Sequence, residues 1–387
     1  MLRNLLERIL SKNKMTLLGV GPMSLNCVNA TISVSNQYSV PIFLIASRRQ
    51  IDSKEFNGGY VNNWDTKEYA EYVSNRDKKG KIILARDHGG PWQHPLEVKK
   101  KLSLSKALES AKKSYREDID CGFKVLHIDT CIDIHGPLNP EDSLERLFEL
   151  YEYCWRYAQS KNKEIIFEIG TEEQSGSTNT IEQLEYNLSE ITSYCNANSL
   201  PRPTFVVVQT GTKVMETRNV GSFDKPLRVE NEIPALIQVP KIVEICDRYN
   251  IFIKEHNTDY LSDEALRWHP RLGIHASNVA PEFGVTETKS LVKLLEDNNL
   301  KNLAEEFLRI SYQSNFWQKW MLSDSKADDR QKAIIGGHYV FGFKEIEELK
   351  KKASIELNKR DILLDDYLEN MVKESILRYL KNFRIIK

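Results

Sequence analysis

The chain has 387 residues, of which 41% are hydrophobic, and its formal net charge is −1 at pH 7. This near-neutral balance argues against a nucleic-acid surface or a basic membrane patch, and no apolar run is long enough to cross a bilayer. The six cysteines are scattered and form no CxxC pair, so we expect reduced thiols in a cytoplasmic protein.

The first predicted element is a helix over residues 1–14, with the sequence MLRNLLERILSKNK. Its leucines and isoleucine recur with helical spacing, and charged residues lie between them. A secretory signal would have an uninterrupted apolar centre instead. We therefore predict an amphipathic helix that packs on the rest of the chain.

Eight short apolar segments follow, each ending in a polar or glycine-rich loop and followed by a helical pattern. They cover residues 16–21, 41–47, 81–87, 124–130, 164–170, 204–211, 251–257 and 272–278. Near-continuous apolar runs of this length are typical of strands buried on both faces. Eight such strands alternating with helices predict an α/β fold, the (β/α)8 TIM barrel, whose active site lies at the carboxyl ends of the strands. An open doubly wound sheet is the alternative, but no glycine-rich dinucleotide loop follows the first strand.

The pattern becomes purely helical and rich in charge after Ser290. Its segments, such as FKEIEELKKKASIEL, place apolar residues at helical spacing between charged ones. We predict a barrel over residues 15–310 and a helical C-terminal extension over residues 311–387, without a second catalytic domain.

Ionisable and amide side chains lie at the ends of most predicted strands. The third strand ends in Asp87 and His88, and the seventh in Glu255 and His256. Asp259 follows in the loop after the seventh strand. Other strands and their loops add His127, Asp129, Glu168, Glu172, Glu173, Gln209, His275 and Asn278. Histidine and carboxylate groups that converge on one rim suit a divalent metal. We interpret His127 as a structural residue, because it lies well before the end of its strand.

Seven segments of the chain carry a family resemblance. They are FNGGYVNNW (56–64), IILARDHGGPWQHP (82–95), HIDTCID (127–133), FEIGTEE (167–173), VVVQTGT (206–212), EHNTDYLSDEALR (255–267) and NFWQKW (315–320). On these segments the chain resembles the class II D-tagatose-1,6-bisphosphate aldolase family, specifically its non-catalytic-subunit branch. The third-strand and seventh-strand segments are the specific ones. The resemblance implies a TIM barrel related to the zinc-dependent class II ketose-bisphosphate aldolases.

The same resemblance implies roles for individual residues. Asp87 would be an acid/base group, and His88 and His256 would be ligands of a catalytic Zn²⁺ or another divalent metal. The zinc aldolases take another histidine from the sixth strand, where this chain has Gln209. We expect His275 on the eighth strand to replace it as the third ligand.

Substrate contacts are expected around this metal. Glu172 is predicted as a second proton carrier, and Arg48 or Arg49 would hold a terminal phosphate, since guanidinium groups bind phosphate bidentately. A solvated arginine pair is an equally open interpretation of these two residues. The other substrate-binding residues that we predict are Asn57, Asp129, Glu168, Gln209, Asp259 and Asn278.

Two enzymatic hypotheses use this predicted metal site and its substrate contacts. A third hypothesis requires no catalysis by this chain. An aldolase would cleave or form the C3–C4 bond of a ketose phosphate, whereas a C4-epimerase would rejoin the two fragments after one has rotated. A scaffold subunit would instead stabilise a separate class II aldolase. The expected partners are a small sugar phosphate and either a second aldolase subunit or further copies of the chain, with neither nucleic acid nor membrane. An intact metal site favours the enzymatic hypotheses, and aldol chemistry is ranked first.

Overall fold

A closed barrel of eight parallel strands forms the centre of the protein, in a computed structural model that describes residues 2–12, 14–170, 180–223 and 234–387. In order around the barrel, the strands are β1 (Leu17–Val20), β2 (Ile42–Ser47), β3 (Ile82–Gly89), β4 (Val125–Asp129), β5 (Ile166–Gly170), β6 (Phe205–Val208), β9 (Phe252–Glu255) and β10 (Ala276–Val279). A separate hairpin is formed by β7 (Val214–Met215) and β8 (Arg218–Asn219). The predicted TIM barrel is confirmed, and each predicted apolar segment overlaps one barrel strand.

The α-helices surround the barrel and continue beyond its last strand. They are α1 (Leu2–Lys12), α2 (Leu25–Tyr38), α3 (Thr66–Arg76), α4 (Pro95–Lys99), α5 (Leu104–Asp120), α6 (Pro140–Ser160), α7 (Ile181–Ala197), α8 (Ala235–Arg248), α9 (Asp263–Leu272), α10 (Pro281–Asp297), α11 (Lys301–Gln313), α12 (Asp329–Gly336), α13 (Lys344–Asn358) and α14 (Leu364–Asn382). Short 3₁₀ helices cover Lys54–Phe56, Gln318–Trp320 and Gly337–Val340. Among the described residues, no helix combines the length and the hydrophobicity that a membrane span requires.

Apolar side chains fill the barrel interior near the amino ends of the strands. Phe43 and Ile45 of β2 and Ala85 of β3 belong to this cluster, and Leu6 of α1 packs against it from below. Side chains alternate in direction along a strand, so the positions two residues further along each strand face the interior in the next layer. The residues of that next layer reach the carboxyl end of the barrel, where TIM barrels carry their sites.

The C-terminal helices pack on the barrel. Ile376 and Tyr379 of α14 belong to the same buried apolar cluster as the residues between the barrel and its helices. The backbone N–H of Thr16 also donates to the carbonyl of Phe383 over 3.1 Å. The segment between α11 and α12 contributes Lys319 and Trp320 to the barrel rim.

Candidate active site

A cavity of about 480 Å³ opens at the carboxyl ends of the barrel strands. The sequence-predicted site residues that line it are Arg49, Asp87, His88, Asp129, His256, Asp259 and Asn278. His127 also lines it, and the C-terminal extension adds Lys319, Trp320 and Tyr339. Enzymes with this fold place their catalytic residues at this end of the barrel, which makes the cavity the candidate active site.

Three imidazole rings meet in this cavity at nearly equal separations. The ring centroids of His88 and His127 are 5.3 Å apart, and those of His256 lie 5.1 Å and 5.2 Å from them. One nitrogen atom from each ring lies within 4.8 Å of the others. An overlapping set, within the same limit, joins Asp87 and Glu168 to His127 and His256. Both sets are compatible with one shared cation.

An irregularity at the end of β3 brings His88 into the cavity. The pairing register of β3 and β4 shifts between Arg86 and Gly89, and His88 has a φ of 45°. A left-handed conformation costs a residue with a side chain about 1–3 kcal/mol and is typical of functional sites. Gly90 follows with a φ of 142°, and a β-carbon there would lie 2.0 Å from the carbonyl oxygen of Asp129. Glycine is therefore required where the chain turns away from the cavity.

Asp129 orients the His88 ring. Nδ1 of His88 donates to Oδ2 of Asp129 over 2.6 Å, and Nε2 of Gln93 donates to the same oxygen over 2.9 Å. The backbone N–H of Cys131 donates to the other carboxylate oxygen over 3.2 Å. Because Nδ1 of His88 is the donor, the neutral ring has its lone pair on Nε2, where a metal could bind, as in metal sites where a carboxylate fixes the histidine tautomer.

His127, which we interpreted as structural, lies within the cluster. Its Nδ1 accepts the backbone N–H of His88 over 3.1 Å, and its buried Nε2 has no hydrogen-bond partner among the described residues. Val125 faces the apolar barrel interior, so His127, two residues later, faces the interior one layer higher. Ile166 also faces the apolar interior, so Glu168, two residues later on β5, faces the interior one layer higher. The two-residue period of the strand is thus the sequence signal that identifies His127, rather than its distance from the strand end.

The charges of the cluster shift one another's pKa values. Enclosure in the cavity would raise the pKa of Asp87, but the neighbouring His88 and His256 hold it well below its usual range. Burial would lower the pKa of His88, yet the Asp87 charge and the hydrogen bond to Asp129 raise it to about 9. Burial lowers the pKa of His256 and so favours its neutral form, against the opposing effect of Asp87. Asp87 is therefore an ionised carboxylate. Of the two imidazoles beside it, His88 is protonated at pH 7, whereas the neutral form is favoured for His256.

Glu168 lies behind the histidines. Its Oε2 accepts from Nζ of Lys254 over 2.5 Å, and its Oε1 accepts from Nε2 of His256 over 2.8 Å. Burial would raise the pKa of Glu168, but Lys254 and His127 hold it at about 2. Although it was predicted to bind substrate, Glu168 does not line the cavity, and its position suits orienting His256.

The structure contradicts the predicted metal-ligand role of His275. This residue precedes β10, and its carbonyl accepts from the backbone N–H of Leu17, the first residue of β1. Its side chain lies against α1, at the amino end of the barrel. Because Ala276 faces the barrel interior, the side chain before it points to the opposite face. His275 is therefore at the other end of the barrel from His88 and cannot share a metal with it.

The structure does not bring Arg48, one of the two arginines predicted to hold a phosphate, to the cavity. Its side chain is fully buried and pairs with Asp52 over 2.8 Å and with Glu97 over 2.6 Å. It also donates to Oγ of Ser110 over 3.1 Å. The next side chain, Arg49, is exposed and lines the cavity. Of the two arginines, Arg48 is thus a structural residue, and Arg49 is available to a ligand.

We expect Arg48→Met to reduce the free energy of unfolding by about 3–5 kcal/mol, since it leaves two buried carboxylates without their cation. Urea denaturation would measure the change. The matched Arg49→Met variant should change stability by less than about 0.5 kcal/mol, because this side chain is exposed. Equal stability of both variants would contradict the structural role of Arg48.

Two further predicted residues lie in the cavity wall. Nδ2 of Asn278 donates to Oδ1 of Asp87 over 3.2 Å, which fixes the orientation of this carboxylate. Burial, together with the charge of Glu282, raises the pKa of Asp259 to about 8. Asp259 follows β9, and Asn278 lies near the end of β10. Both residues are thus at the carboxyl ends of strands, where the rim is predicted.

The other predicted contacts are not in this wall. Asn57 is exposed and Gln209 is buried, and neither of them lines the cavity. Glu172 and Glu173 lie outside the described residues. Sequence reasoning missed Lys319 as a site residue, although it belongs to the NFWQKW segment of the family resemblance.

The donors in the cavity fit a divalent transition metal such as Zn²⁺. Catalytic zinc commonly takes three protein ligands, mostly imidazole nitrogens and carboxylate oxygens, and keeps one position open. His88, His127 and His256 provide three imidazoles, and one nitrogen atom of each lies within 4.8 Å of the others. These residues, rather than the predicted set with His275, are the candidate ligands.

Fold and site together define a TIM barrel with a candidate metal centre at the carboxyl ends of its strands. No protein-family model matches the sequence, and no curated protein matches it either. Solved structures do match the fold. A probable tagatose 6 phosphate kinase from Sinorhizobium meliloti 1021 is 17% identical, with a TM-score of 0.69 over 95% of this chain and 100% of that chain.

Two other solved structures match over nearly the whole chain. The glycerol complex of fructuronate-tagaturonate epimerase from Cohnella laeviribosi is 12% identical, with a TM-score of 0.61 over 99% of this chain and 85% of that chain. A fructose-bisphosphate aldolase from Campylobacter jejuni is 12% identical, with a TM-score of 0.54 over 100% of this chain and 94% of that chain. At these identities the similarity shows a common fold.

Proposed function

We propose that this chain is a divalent-metal-dependent enzyme that breaks or forms the C3–C4 bond of a ketose phosphate by aldol chemistry. The observation that carries the proposal is the cluster of His88, His127 and His256 beside the ionised carboxylate of Asp87, in a cavity at the catalytic end of a TIM barrel. The fold similarity to a solved fructose-bisphosphate aldolase supports the same chemistry.

His88, His127 and His256 would hold the metal. When bound, a divalent ion supplies positive charge that stabilises the ketone oxygen of the substrate as the bond breaks. Metal ligation needs neutral imidazoles, so His88, whose pKa is about 9, must release its proton when a metal binds at pH 7. Asp129 keeps the His88 ring in the orientation that ligation requires.

Asp87 is suited to carry the reacting proton. Its carboxylate is ionised at neutral pH, and Asn278 holds one of its oxygens. In cleavage, Asp87 accepts the proton of the C4 hydroxyl, C4 becomes an aldehyde, and the electron pair of the C3–C4 bond moves to the fragment with the ketone. In the reverse direction, the bond forms and Asp87 returns the proton.

A C4-epimerase is the second candidate function. The same cleavage inverts C4 if the aldehyde turns over within the cavity before the bond forms again. The match in fold to fructuronate-tagaturonate epimerase over nearly the full chain favours this candidate. A scaffold subunit would need neither the three imidazoles nor the oriented carboxylate.

We expect the purified chain, supplied with Zn²⁺ and no second subunit, to convert at least one ketose phosphate. A panel of ketohexose phosphates and bisphosphates would be assayed for free aldehyde by coupled reduction and for the C4 epimer by chromatography. A chelator should abolish the activity, and added Zn²⁺ should restore it. Free aldehyde would identify an aldolase, and epimer without free aldehyde would identify an epimerase. If turnover occurred only after a second aldolase subunit was added, the scaffold hypothesis would be right.

A further inference from the structure

The amino end of α10, close to where TIM-barrel enzymes commonly bind phosphate, is capped by the protein itself. Oδ1 of Asp259 accepts the backbone N–H of Ala280 over 3.0 Å and that of Glu282 over 2.8 Å. A phosphate at this helix terminus would need the same donors. A terminal anionic group on the substrate therefore needs a partner elsewhere in the cavity.

Two cationic side chains face the cavity from another part of its wall. Arg49 lies in the turn directly after β2, and Lys319 lies in the 3₁₀ helix of the C-terminal extension. Neither has a carboxylate partner among the described residues, whereas the neighbouring Arg48 has two. Two like charges at one wall repel each other, and an anion bound between them would remove that repulsion.

Aromatic rings hold the ammonium group of Lys319 in place. Its Nζ lies 4.8 Å from the ring centroid of Trp320 and 4.9 Å from that of Tyr339, within the range of cation–π attraction. Nε1 of Trp320 donates to the hydroxyl of Tyr339 over 3.2 Å, which connects the two rings. Enclosure by the cavity wall, with a smaller effect of the Arg49 charge, lowers the pKa of Lys319 to about 7. An anion bound beside this group would raise that pKa and keep the ammonium group charged.

We propose that Arg49 and Lys319 form the subsite for a terminal anionic group of the substrate. The proposal rests on the proposed function for placing the ketone end at the histidine cluster, while the subsite itself rests on the two unpaired cations in the same cavity. Phosphate and carboxylate share the required chemistry, because a guanidinium binds either one bidentately and an ammonium acts as a point charge. The C-terminal extension then takes part in substrate selection and not only in packing.

The test compares Arg49→Gln and Lys319→Gln with the wild-type full-length chain. Lys332→Gln is the matched control, because Nζ of Lys332 lies 5.3 Å from the ring centroid of Trp317 but outside the cavity wall. Calorimetric titration with inorganic phosphate and with glycerate measures anion binding without any turnover. We expect each site variant to weaken binding of the preferred anion about 10- to 100-fold, the effect of losing one charged hydrogen bond. The control variant should bind like the wild type.

Steady-state kinetics separates this proposal from the proposed function. For a substrate with a terminal anion, the two site variants should raise KM about 10- to 100-fold, while KM for the same ketose without the anion should not change. Tighter binding of phosphate than of glycerate supports a phosphorylated ketose, and the reverse supports a ketose with a terminal carboxylate. If the anions bind and the variants lose them while no ketose turns over, the subsite is supported and the proposed reaction is wrong. If both variants bind anions like the wild type, the subsite proposal is overturned, even where turnover is observed.

Discussion

Asp87→Asn is expected to lower the turnover number about 10²- to 10⁴-fold while metal content stays at the wild-type level. Asparagine keeps the shape of the side chain but cannot accept the C4-hydroxyl proton. The three imidazoles that would hold the metal are unchanged in this variant. Metal analysis and turnover measured on the same preparation would check the prediction.

Asp133→Asn is the matched control for this substitution. Asp133 follows β4 at the same rim, pairs with Arg146 over 2.6 Å, and does not line the cavity. Its replacement should leave turnover close to that of the wild type. Parallel loss of metal and activity in Asp87→Asn would instead make Asp87 a ligand, in the set that it forms with Glu168, His127 and His256.

His127→Ala should weaken metal binding by about 10²-fold or more and reduce turnover in proportion. Even residues that only orient a ligand change metal affinity about 10- to 100-fold, so loss of a ligand should cost at least as much. Zinc content after dialysis against a weak chelator would show the loss, and circular dichroism would show whether the fold is kept. The substitution removes the ring that completes the triangle with His88 and His256.

The His275→Ala variant tests whether His275 is a metal ligand or a structural residue at the amino end of the barrel. Nδ1 of His275 accepts the backbone N–H of Ile253 over 3.1 Å, and burial lowers its pKa to about 4, so it is a neutral structural residue. We expect this variant to lose about 1 kcal/mol of stability and to keep its metal and turnover. Metal loss in His275→Ala together with full metal content in His127→Ala would reverse our ligand assignment.

The barrel could be predicted because its signal is local. Each strand is a short apolar run that must be buried on both faces, and each run is readable without knowing its neighbours. The carboxyl end of every strand is then known, and in a parallel barrel these ends share one rim. Asp87, His88 and His256 were placed at this rim for that reason, and the structure brings all three into one cavity.

Which face of its strand a side chain occupies could be decided only from the tertiary structure. His127 and His275 both lie in or beside predicted strands, yet one faces the cavity and the other lies against α1. The difference depends on which strand residue first enters the barrel interior, namely Val125 in β4 and Ala276 in β10. Only packing of all eight strands sets that starting point, since a shift of one residue moves every side chain to the other face.

The tertiary structure also determines which charged side chains pair with each other. From sequence, Arg48 and Arg49 are equivalent neighbours, but Glu97, which neutralises Arg48, is 49 positions away and meets it only in the folded chain. Lys319 comes from the C-terminal extension, far from Arg49 in the sequence, yet it lines the same cavity. The sequence by itself therefore determined the strands, their order and the polar rim, since these follow from local burial and chain direction. The tertiary structure decided which rim residues share a cavity and which cations remain unpaired, since both depend on contacts between residues far apart in the chain.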